Sequence, residues 1–231
     1  MKVLLTGASG FVGMATLQAL LGKGAEIIAT STSGKDITRH DHVEWRQWDA
    51  APDGCVPSGI DYASLDAIIH LASPRERKEF PQHHAATFNT NVTATVNLAA
   101  VAAQHNLQFV LASTGDVFAR GPATVSEEET RWSPNGFYGS TKASAEILLQ
   151  PFAELTTITV MRIFHPYGPG GDNFLVNRLL TQIVNDKVIT LEKEGGILVN
   201  PIWIDDLAEG ICQAVFLRTA GTFHLAGKET L

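Results

Sequence analysis

The sequence has few cysteines, no long hydrophobic run and no excess of basic charge. Its two cysteines among 231 residues, Cys55 and Cys212, match no metal-binding pattern, so we expect reduced thiols, no bound metal and a cytoplasmic protein. The net charge of −7 argues against nucleic acid as a partner. No apolar stretch is long enough to span a membrane, which argues against a membrane partner.

Short apolar, β-rich runs alternate with helical patterns through most of the chain. Val3 to Leu5 is typical of a buried strand, and Phe11 to Leu21 has apolar residues at helical spacing. Repeated strand–helix alternation predicts an α/β fold, a doubly wound parallel sheet with helices on both faces. We expect a main domain at residues 1–163 and a smaller, partly inserted substrate-side region at residues 164–231, which opens with a Pro/Gly-rich loop.

A glycine-rich turn, 6-TGASGFVG-13, joins the first predicted strand to the first helix. Gly7 would permit a tight turn, Gly10 would let the backbone approach a pyrophosphate, and Gly13 would let the helix pack on the strand. Phe11 and Val12 would present backbone N–H groups at the helix N-terminus. The spacing predicts a Rossmann-type, dinucleotide-binding main domain, and the alternative is an ordinary strand-to-helix turn.

The end of the second predicted strand bears on the choice of cofactor. NAD sites usually carry an acid there to bind the ribose 2′-OH, whereas this chain has Ser31 and Thr32. Hydroxyls can bond a 2′-phosphate, and Lys35 or Arg39 could neutralise it, so we expect NADP or NAD and favour NADP. The alternative is a plain loop that accepts NAD through hydroxyls. Asp49 could bind the adenine amine or be a turn residue.

The segment 138-YGSTK-142 places a tyrosine and a lysine on one face of a predicted helix, one turn apart. A free tyrosine has a pKa near ~10, and lowering it by ~3 units requires ~4 kcal/mol. A unit charge ~4 Å away at an effective dielectric of ~20 supplies about that much. Lys142 would therefore bring Tyr138 toward a working pH for general acid–base catalysis. The alternative is a solvated surface pair.

Seven motifs in order resemble those of the extended short-chain dehydrogenase/reductases, the NAD(P)-dependent epimerase/dehydratase family. The resemblance implies an oxidoreductase or epimerase that acts on a secondary alcohol or ketone, of a sugar or nucleotide sugar. Each motif is weak by itself, and their shared order carries the resemblance. The motifs are TGASGFVG, DAIIHLAS (66–73), NVTAT (91–95), ASTGDVF (112–118), YGSTK, RIFHPYGPG (162–170) and PIWIDDLAEGI (201–211).

The resemblance also implies roles for single residues. Thr114 would hydrogen-bond the substrate oxygen, while the neighbouring Ser113 side chain would point to the opposite face of its strand. Tyr138 would transfer the proton, and Lys142 would also hold the nicotinamide ribose. The remaining implied positions are Leu71 and Ala72 for the cofactor, and Ser73, Asp116 and His165 for the substrate.

Several positions depart from the family pattern. The pair Gly115-Asp116 lacks one acid of the dehydratase pair, which argues against 4,6-dehydration, and Asp116 could equally be a turn residue. His165 replaces an asparagine and could bind substrate, shuttle a proton or be structural. An arginine that holds the diphosphate in relatives is absent. Its substitutes could be Arg75, Arg77 and Lys78, which could instead form a solvated loop.

Three alternatives stay open at this stage. The cofactor could stay bound, as in an epimerase, or exchange, as in a net reductase that could act on a non-sugar substrate. A non-catalytic dinucleotide-binding regulatory or scaffold protein is the rival of a different class, and retention of Thr114, Tyr138 and Lys142 argues against it. Family members commonly continue beyond FHLAGKETL, so part of the substrate side is expected to be missing, and a homodimer is a further option.

Overall fold

A parallel sheet between two helical layers forms the body of the protein. The computed structural model describes residues 1–34, 39–74, 79–118, 126, 132–190 and 198–230. The strands are β1 (Lys2–Thr6), β2 (Glu26–Ser31), β3 (Val43–Gln47), β4 (Ala67–His70), β5 (Gln108–Thr114), β6 (Ile158–Ile163), β7 (Pro166–Tyr167), β8 (Ile202–Trp203) and β9 (Gly221–Leu225). The helices are α1 (Phe11–Gly22), α2 (His84–Phe88), α3 (Ala94–His105), α4 (Gly136–Leu149), α5 (Leu175–Val184) and α6 (Ile204–Phe216).

The main sheet has seven strands in the order β3-β2-β1-β4-β5-β6-β9, and every neighbouring pair is parallel. The strand order reverses between β1 and β4. In open parallel sheets, ligands bind outside the carboxyl ends of the strands at such a reversal. The doubly wound, Rossmann-type α/β fold predicted from the sequence is therefore confirmed, and its topology locates a cleft at the ends of β1 and β4.

Each face of the sheet is covered by a separate apolar layer. On one face, Leu17 of α1 and Leu207 of α6 lie in a core cluster with β1. On the other, Leu98 of α3 and Leu149 of α4 pack with Leu4. The strands are apolar on both sides, as expected where helices cover both faces of a parallel sheet.

The segment after residue 163 contributes to the main sheet as well as to its carboxyl edge. Strand β9 pairs with β6, and α6 packs beside α1. The short strands β7 and β8 form a second, two-stranded sheet. The division at residue 163 remains a prediction. Within the described ranges, none of the helices has both the length and the hydropathy needed to cross a membrane.

A π-helical turn at Asn89–Thr93 separates α2 from α3. Single π turns inside helices are rare and frequent at functional sites. Here the turn directs the Asn91 side chain to α4, where its Nδ2 donates to Thr141 Oγ1 at 3.0 Å. The turn therefore connects the α3 segment to the helix that carries Tyr138 and Lys142.

His70, at the end of β4, is fully buried and joins three elements. Its Nε2 lies 3.3 Å from the Thr90 carbonyl in the π turn, and its Nδ1 lies 2.7 Å from Thr6 Oγ1. Because a carbonyl can only accept, Nε2 carries the proton and Nδ1 accepts from the Thr6 hydroxyl. Burial lowers the pKa of His70 to about 3, and the Lys142 charge adds to the lowering.

His70 is expected to make the protein acid-sensitive. The ordinary pKa is 6.5 and the folded pKa is about 3, so between these values the unfolded chain binds one more proton than the folded chain. As the pH is lowered through this window, the free energy of unfolding should therefore decrease. This residue should contribute up to ~1.4 kcal/mol per pH unit to the decrease. Urea unfolding at several pH values measures the slope, which His70→Gln should reduce. His42→Gln, at an exposed position, is the control. Equal slopes for the parent and His70→Gln would contradict this assignment.

Candidate active site

The glycine turn has the shape of a phosphate cradle. Gly7 has a φ of +68°, and a Cβ added there would lie 2.7 Å from the backbone of Ala72. A Cβ on Gly13 would lie 2.1 Å from the Gly7 carbonyl oxygen. A Cβ on Gly10 would meet only Gly7 O, at 3.3 Å, among the described atoms within 4 Å. Gly7 and Gly13 are thus required by the protein's own packing, whereas Gly10 faces space that a ligand can fill.

The N-terminus of α1 offers donors to this space. Gly10 is the N-cap and provides no side-chain cap, while its carbonyl accepts from Met14 N at 2.8 Å. The first N–H groups of a helix, here those of Phe11, Val12 and Gly13, have no intrahelical acceptor. Together with the helix dipole they favour an anion. The cradle and these donors fit the pyrophosphate of a dinucleotide.

A Pro/Gly-rich loop packs over the same turn. The Phe11 and Phe174 ring centroids are 4.8 Å apart, and a Cβ on Gly171 would lie 2.7 Å from the Phe11 ring. A cavity of about 770 Å³ opens beside Gly10, between α1, this loop and the start of α6. The Pro/Gly-rich loop is therefore in direct contact with the glycine turn.

The end of β2 lies beside the glycine turn, since Ala8 N donates to Thr30 O at 3.2 Å. Ser31 is buried, and its Oγ accepts from Gly34 N at 3.1 Å, while Thr32 is exposed. The hydroxyl proton of Ser31 stays available to a ligand. The hydroxyl of the buried Thr30 is also available, because its Oγ1 has no hydrogen-bond partner in the described part of the chain. Arg39 is exposed, and Lys35 lies outside the described residues.

Asp49 and the loop after β4 complete the predicted cofactor positions. Asp49 is exposed and its Oδ1 accepts from Ala51 N at 2.9 Å, so it caps a turn, and the adenine contact stays a prediction. Leu71 N donates to Thr6 O at 3.2 Å, which holds the loop against β1. Leu71, Ala72 and Ser73 are half-buried, and Ser73 Oγ makes no hydrogen bond to any described residue. A buried hydroxyl without a partner is consistent with a ligand there.

The end of β5 and the start of α4 meet closely. A Cβ on Gly139 would lie 2.4 Å from Asp116 O, so only glycine allows α4 to approach the turn after Thr114. Thr114 Oγ1 accepts from Asp116 N at 3.2 Å. Ser113 points the other way and donates to Glu146, as the strand alternation predicts. Thr114 therefore lies at the carboxyl edge of the sheet, next to the helix of Tyr138.

Tyr138 and Lys142 both lie on α4, as the i, i+4 spacing predicts. Tyr138 is half-buried, whereas Lys142 is 2% exposed and its Nζ donates to Ala112 O at 2.8 Å. A solvated surface pair is thus excluded for Lys142. The buried ammonium thus belongs to a residue one helical turn from the half-buried Tyr138.

Of the predicted substrate residues, Asp116 and His165 lie at the same edge. Asp116 is half-buried and forms the turn after Thr114. His165 is half-buried, has a φ of +30°, and accepts from Ile202 N at 3.3 Å through its carbonyl. Their contacts with substrate stay predictions. The basic residues Arg75, Arg77 and Lys78 lie outside the described residues.

Sequence reasoning assigned no role to Glu146 and missed its partner, Arg162. Both are buried, and Arg162 Nη2 donates to Glu146 Oε2 at 2.8 Å. The sequence did contain one signal for Glu146, its spacing, because it follows Lys142 by one helical turn on the same face of the helix. Among the described residues, no group of three or more His, Cys, Asp or Glu is placed to hold a metal ion.

The chain is similar to curated enzymes of nucleotide-sugar metabolism. It is 26% identical over 251 residues to UDP-glucuronic acid decarboxylase 1 of Arabidopsis thaliana, covering 97% of this chain and 54% of that protein. It is 26% identical over 223 residues to the UDP-glucuronate 4-epimerase of Thermodesulfobacterium geofontis (strain OPF15), covering 90% and 69%. The chain therefore spans about half the length of the plant enzyme.

Solved structures share the fold. The UDP-glucuronic acid 4-epimerase of Bacillus cereus, in complex with UDP-glucuronic acid and NAD, superposes with a TM-score of 0.84 at 24% identity, covering 100% of this chain and 79% of that chain. A dTDP-glucose 4,6-dehydratase of Bacillus anthracis in complex with NAD gives a TM-score of 0.81 at 20% identity, covering 100% and 77%. Since the sequence identity is below 25%, these structural similarities establish the architecture alone.

The family assignment follows from a match over nearly the whole chain. The family model covers residues 3–222, which include the glycine turn, the Tyr138–Lys142 helix and α6. With the geometry of the cleft, this match shows that the chain belongs to the NAD dependent epimerase/dehydratase family.

Proposed function

We propose that this protein is an NAD-dependent epimerase or oxidoreductase of a nucleotide sugar, working at a secondary alcohol or ketone. The observation that carries the proposal is the buried Lys142 ammonium one helical turn from Tyr138, at the same sheet edge as the glycine turn. Family membership supports it, as do the UDP-glucuronic acid decarboxylases and the UDP-glucuronate 4-epimerase among the relatives.

In this proposal three side chains handle the reacting oxygen. Tyr138 removes a proton from the alcohol, or returns one to the forming alkoxide. Lys142 stabilises the phenolate by its charge and also holds the nicotinamide ribose. Thr114 donates a hydrogen bond to the substrate oxygen. Bound NAD would supply the hydride chemistry, while the residues of the chain would orient the substrate and move the proton.

The proposed cofactor is NAD. The preference for NADP derived from the sequence finds no support, since the solved structures named above carry NAD. The Ser31 hydroxyl suits a ribose hydroxyl, and Arg39 is exposed. We expect the contacts of the Ser31 hydroxyl to determine the selectivity between NAD and NADP.

We also propose that the protein works in the cytoplasm as a homodimer. The described cysteines, Cys55 and Cys212, are free thiols, in keeping with a reducing compartment. Helix α4 leaves Ile147 and Leu148 exposed on the side away from the sheet, and Phe88 is exposed at the end of α2. These side chains are suited to an apolar contact with a second copy.

Alanine at Gly10 and at Gly13 should have different effects. Gly10→Ala should fold normally but weaken NAD binding roughly 10- to 100-fold, because its methyl group blocks charge-assisted hydrogen bonds to the pyrophosphate worth ~1.5–3 kcal/mol each. Gly13→Ala should instead lower the free energy of unfolding by ~1–3 kcal/mol, because its methyl group clashes with the Gly7 carbonyl. Calorimetric titration with NAD and urea unfolding measure the two effects. A Gly10→Ala variant with parental affinity would show that this turn does not hold the phosphates.

Tyr138→Phe should reduce turnover roughly 10²- to 10⁴-fold, the usual contribution of general acid–base catalysis. Its Kd for NAD should stay within ~3-fold, because the hydroxyl adds little to the binding of a dinucleotide held mainly through its phosphates. Lys142→Met should lose both turnover and NAD affinity. The assay uses UDP-glucuronic acid and UDP-glucose with NAD, and a cofactor that survives purification would favour the epimerase. Near-parental turnover of Tyr138→Phe would refute the acid–base role.

The cofactor proposal predicts tighter binding of NAD than of NADP by the parent. Ser31→Asp should widen the difference by ~10-fold or more, because a carboxylate accepts from the 2′-OH and repels a 2′-phosphate, and one charge-assisted contact is worth ~1.5–3 kcal/mol. Calorimetric titration of both proteins with both cofactors measures this, with Thr32→Asp at the exposed neighbouring position as the comparison. Tighter NADP binding by the parent would reverse the assignment.

A further inference from the structure

A buried ion pair lies directly behind the proposed catalytic pair. The side chains of Glu146 and Arg162 are each 4% exposed. Arg162 donates to Glu146 Oε2 from Nη2 at 2.8 Å and from Nε at 3.0 Å. The Ser113 hydroxyl donates to the other carboxylate oxygen, Oε1. The carboxylate is therefore bound from two directions and has little freedom to rotate.

The arginine is fixed as firmly as the carboxylate. Its guanidinium carbon lies 4.9 Å from the centre of the Phe118 ring and 5.7 Å from that of Trp132, distances typical of cation–π contacts. Its Nη1 lies 3.4 Å from His224 Nε2. Ser113, Arg162 and His224 are register partners on β5, β6 and β9, so they form one polar row across three strands.

The polar row and the proposed catalytic residues lie on the same two elements, α4 and β5. Glu146 lies one turn beyond Lys142 on α4. Ser113 lies between Ala112, whose carbonyl accepts from Lys142 Nζ at 2.8 Å, and Thr114. Helix α4 is thus joined to β5 at adjacent points, once through Lys142 and once through Glu146.

Stability alone is a weak reason for such a pair. Removing two charges from water is costly, and replacing a buried ion pair by apolar residues of similar volume is often neutral or stabilising. What the ion pair adds is direction, because the bidentate hydrogen bonds of a guanidinium fix distance and orientation in a way that apolar contacts do not.

We propose that Glu146 is a positioning residue, whose carboxylate, held by Arg162 and Ser113, sets the height and rotation of α4 on β5. This contact keeps the Lys142 ammonium at the Ala112 carbonyl and keeps Tyr138 beside that charge and beside Thr114. Without it the helix can shift on the strand, and the phenol loses part of the electrostatic support. The inference rests on the proposed function in one respect, that Lys142 supports the Tyr138 phenolate.

The test is the titration of Tyr138, which requires no substrate. Phenolate absorbance is recorded against pH, and subtraction of the Tyr138→Phe curve isolates Tyr138 from the other two tyrosines. Burial raises the pKa of Tyr62 to about 12, which separates that residue further. Glu146→Gln should raise the Tyr138 midpoint by about one pH unit, a tenfold loss of phenolate at a fixed pH. Glu209→Gln, which breaks an exposed ion pair with Lys23, should leave it unchanged.

A double replacement separates positioning from stability. Glu146→Leu combined with Arg162→Met removes both charges and leaves no buried ion unpaired. This variant should unfold within a few degrees of the parent and still show the raised midpoint. A folded double variant with the parental midpoint would overturn the positioning role. Ser113→Ala keeps the ion pair and covers the case in which both other variants fail to fold. Its midpoint should rise by a smaller amount, and no rise would count against the proposal.

The same titration distinguishes this inference from the proposed function. A parental Tyr138 that titrates near ~10, the ordinary value, would contradict the acid–base function and with it the role of Glu146. A lowered parental midpoint that survives all three network variants would leave the function standing and refute the positioning role alone.

Discussion

The burial of one ammonium group constrains the whole carboxyl edge of the sheet. Lys142 is 2% exposed, and a buried charge is costly unless it is hydrogen-bonded and paired. The Ala112 carbonyl accepts a hydrogen bond from its Nζ at 2.8 Å, which requires α4 to lie at a fixed height above β5. Gly139 permits that approach, because any side chain there would meet the Asp116 carbonyl. The burial of the lysine therefore constrains where the helix, the turn and Tyr138 can lie.

The glycine turn is tied to the same edge through polar contacts. Thr6, at the end of β1, contacts His70, and His70 contacts the Thr90 carbonyl in the π turn. The next residue of this turn, Asn91, donates to Thr141 on α4. Buried polar groups that are satisfied in this way favour a single arrangement of the elements they join. These contacts join the glycine turn, the π turn and α4 into one hydrogen-bonded network.

Charge at the site is separated into two layers. The Lys142 ammonium donates to the Ala112 carbonyl of β5, whereas the Glu146 carboxylate, one helical turn further along α4, is compensated by Arg162. Aromatic rings around the guanidinium keep water from this pair. One helix therefore carries a buried positive group and, one turn further along, a buried negative group.

The sequence by itself determined the fold class, and it predicted the main site residues. Strand–helix alternation, the glycine spacing of the first turn and the Tyr138–Lys142 spacing are local patterns, and local geometry is what such patterns encode. Only the tertiary structure decided that Lys142 is buried, that Ser31 is already engaged by Gly34, and that Asp49 caps a turn. The ion pair of Glu146 and Arg162 was also invisible to local patterns. Its two residues are 16 positions apart and meet only because β6 lies beside β5 under α4. Burial and long-range pairing depend on which elements become neighbours, and that is settled by the packing of the whole chain.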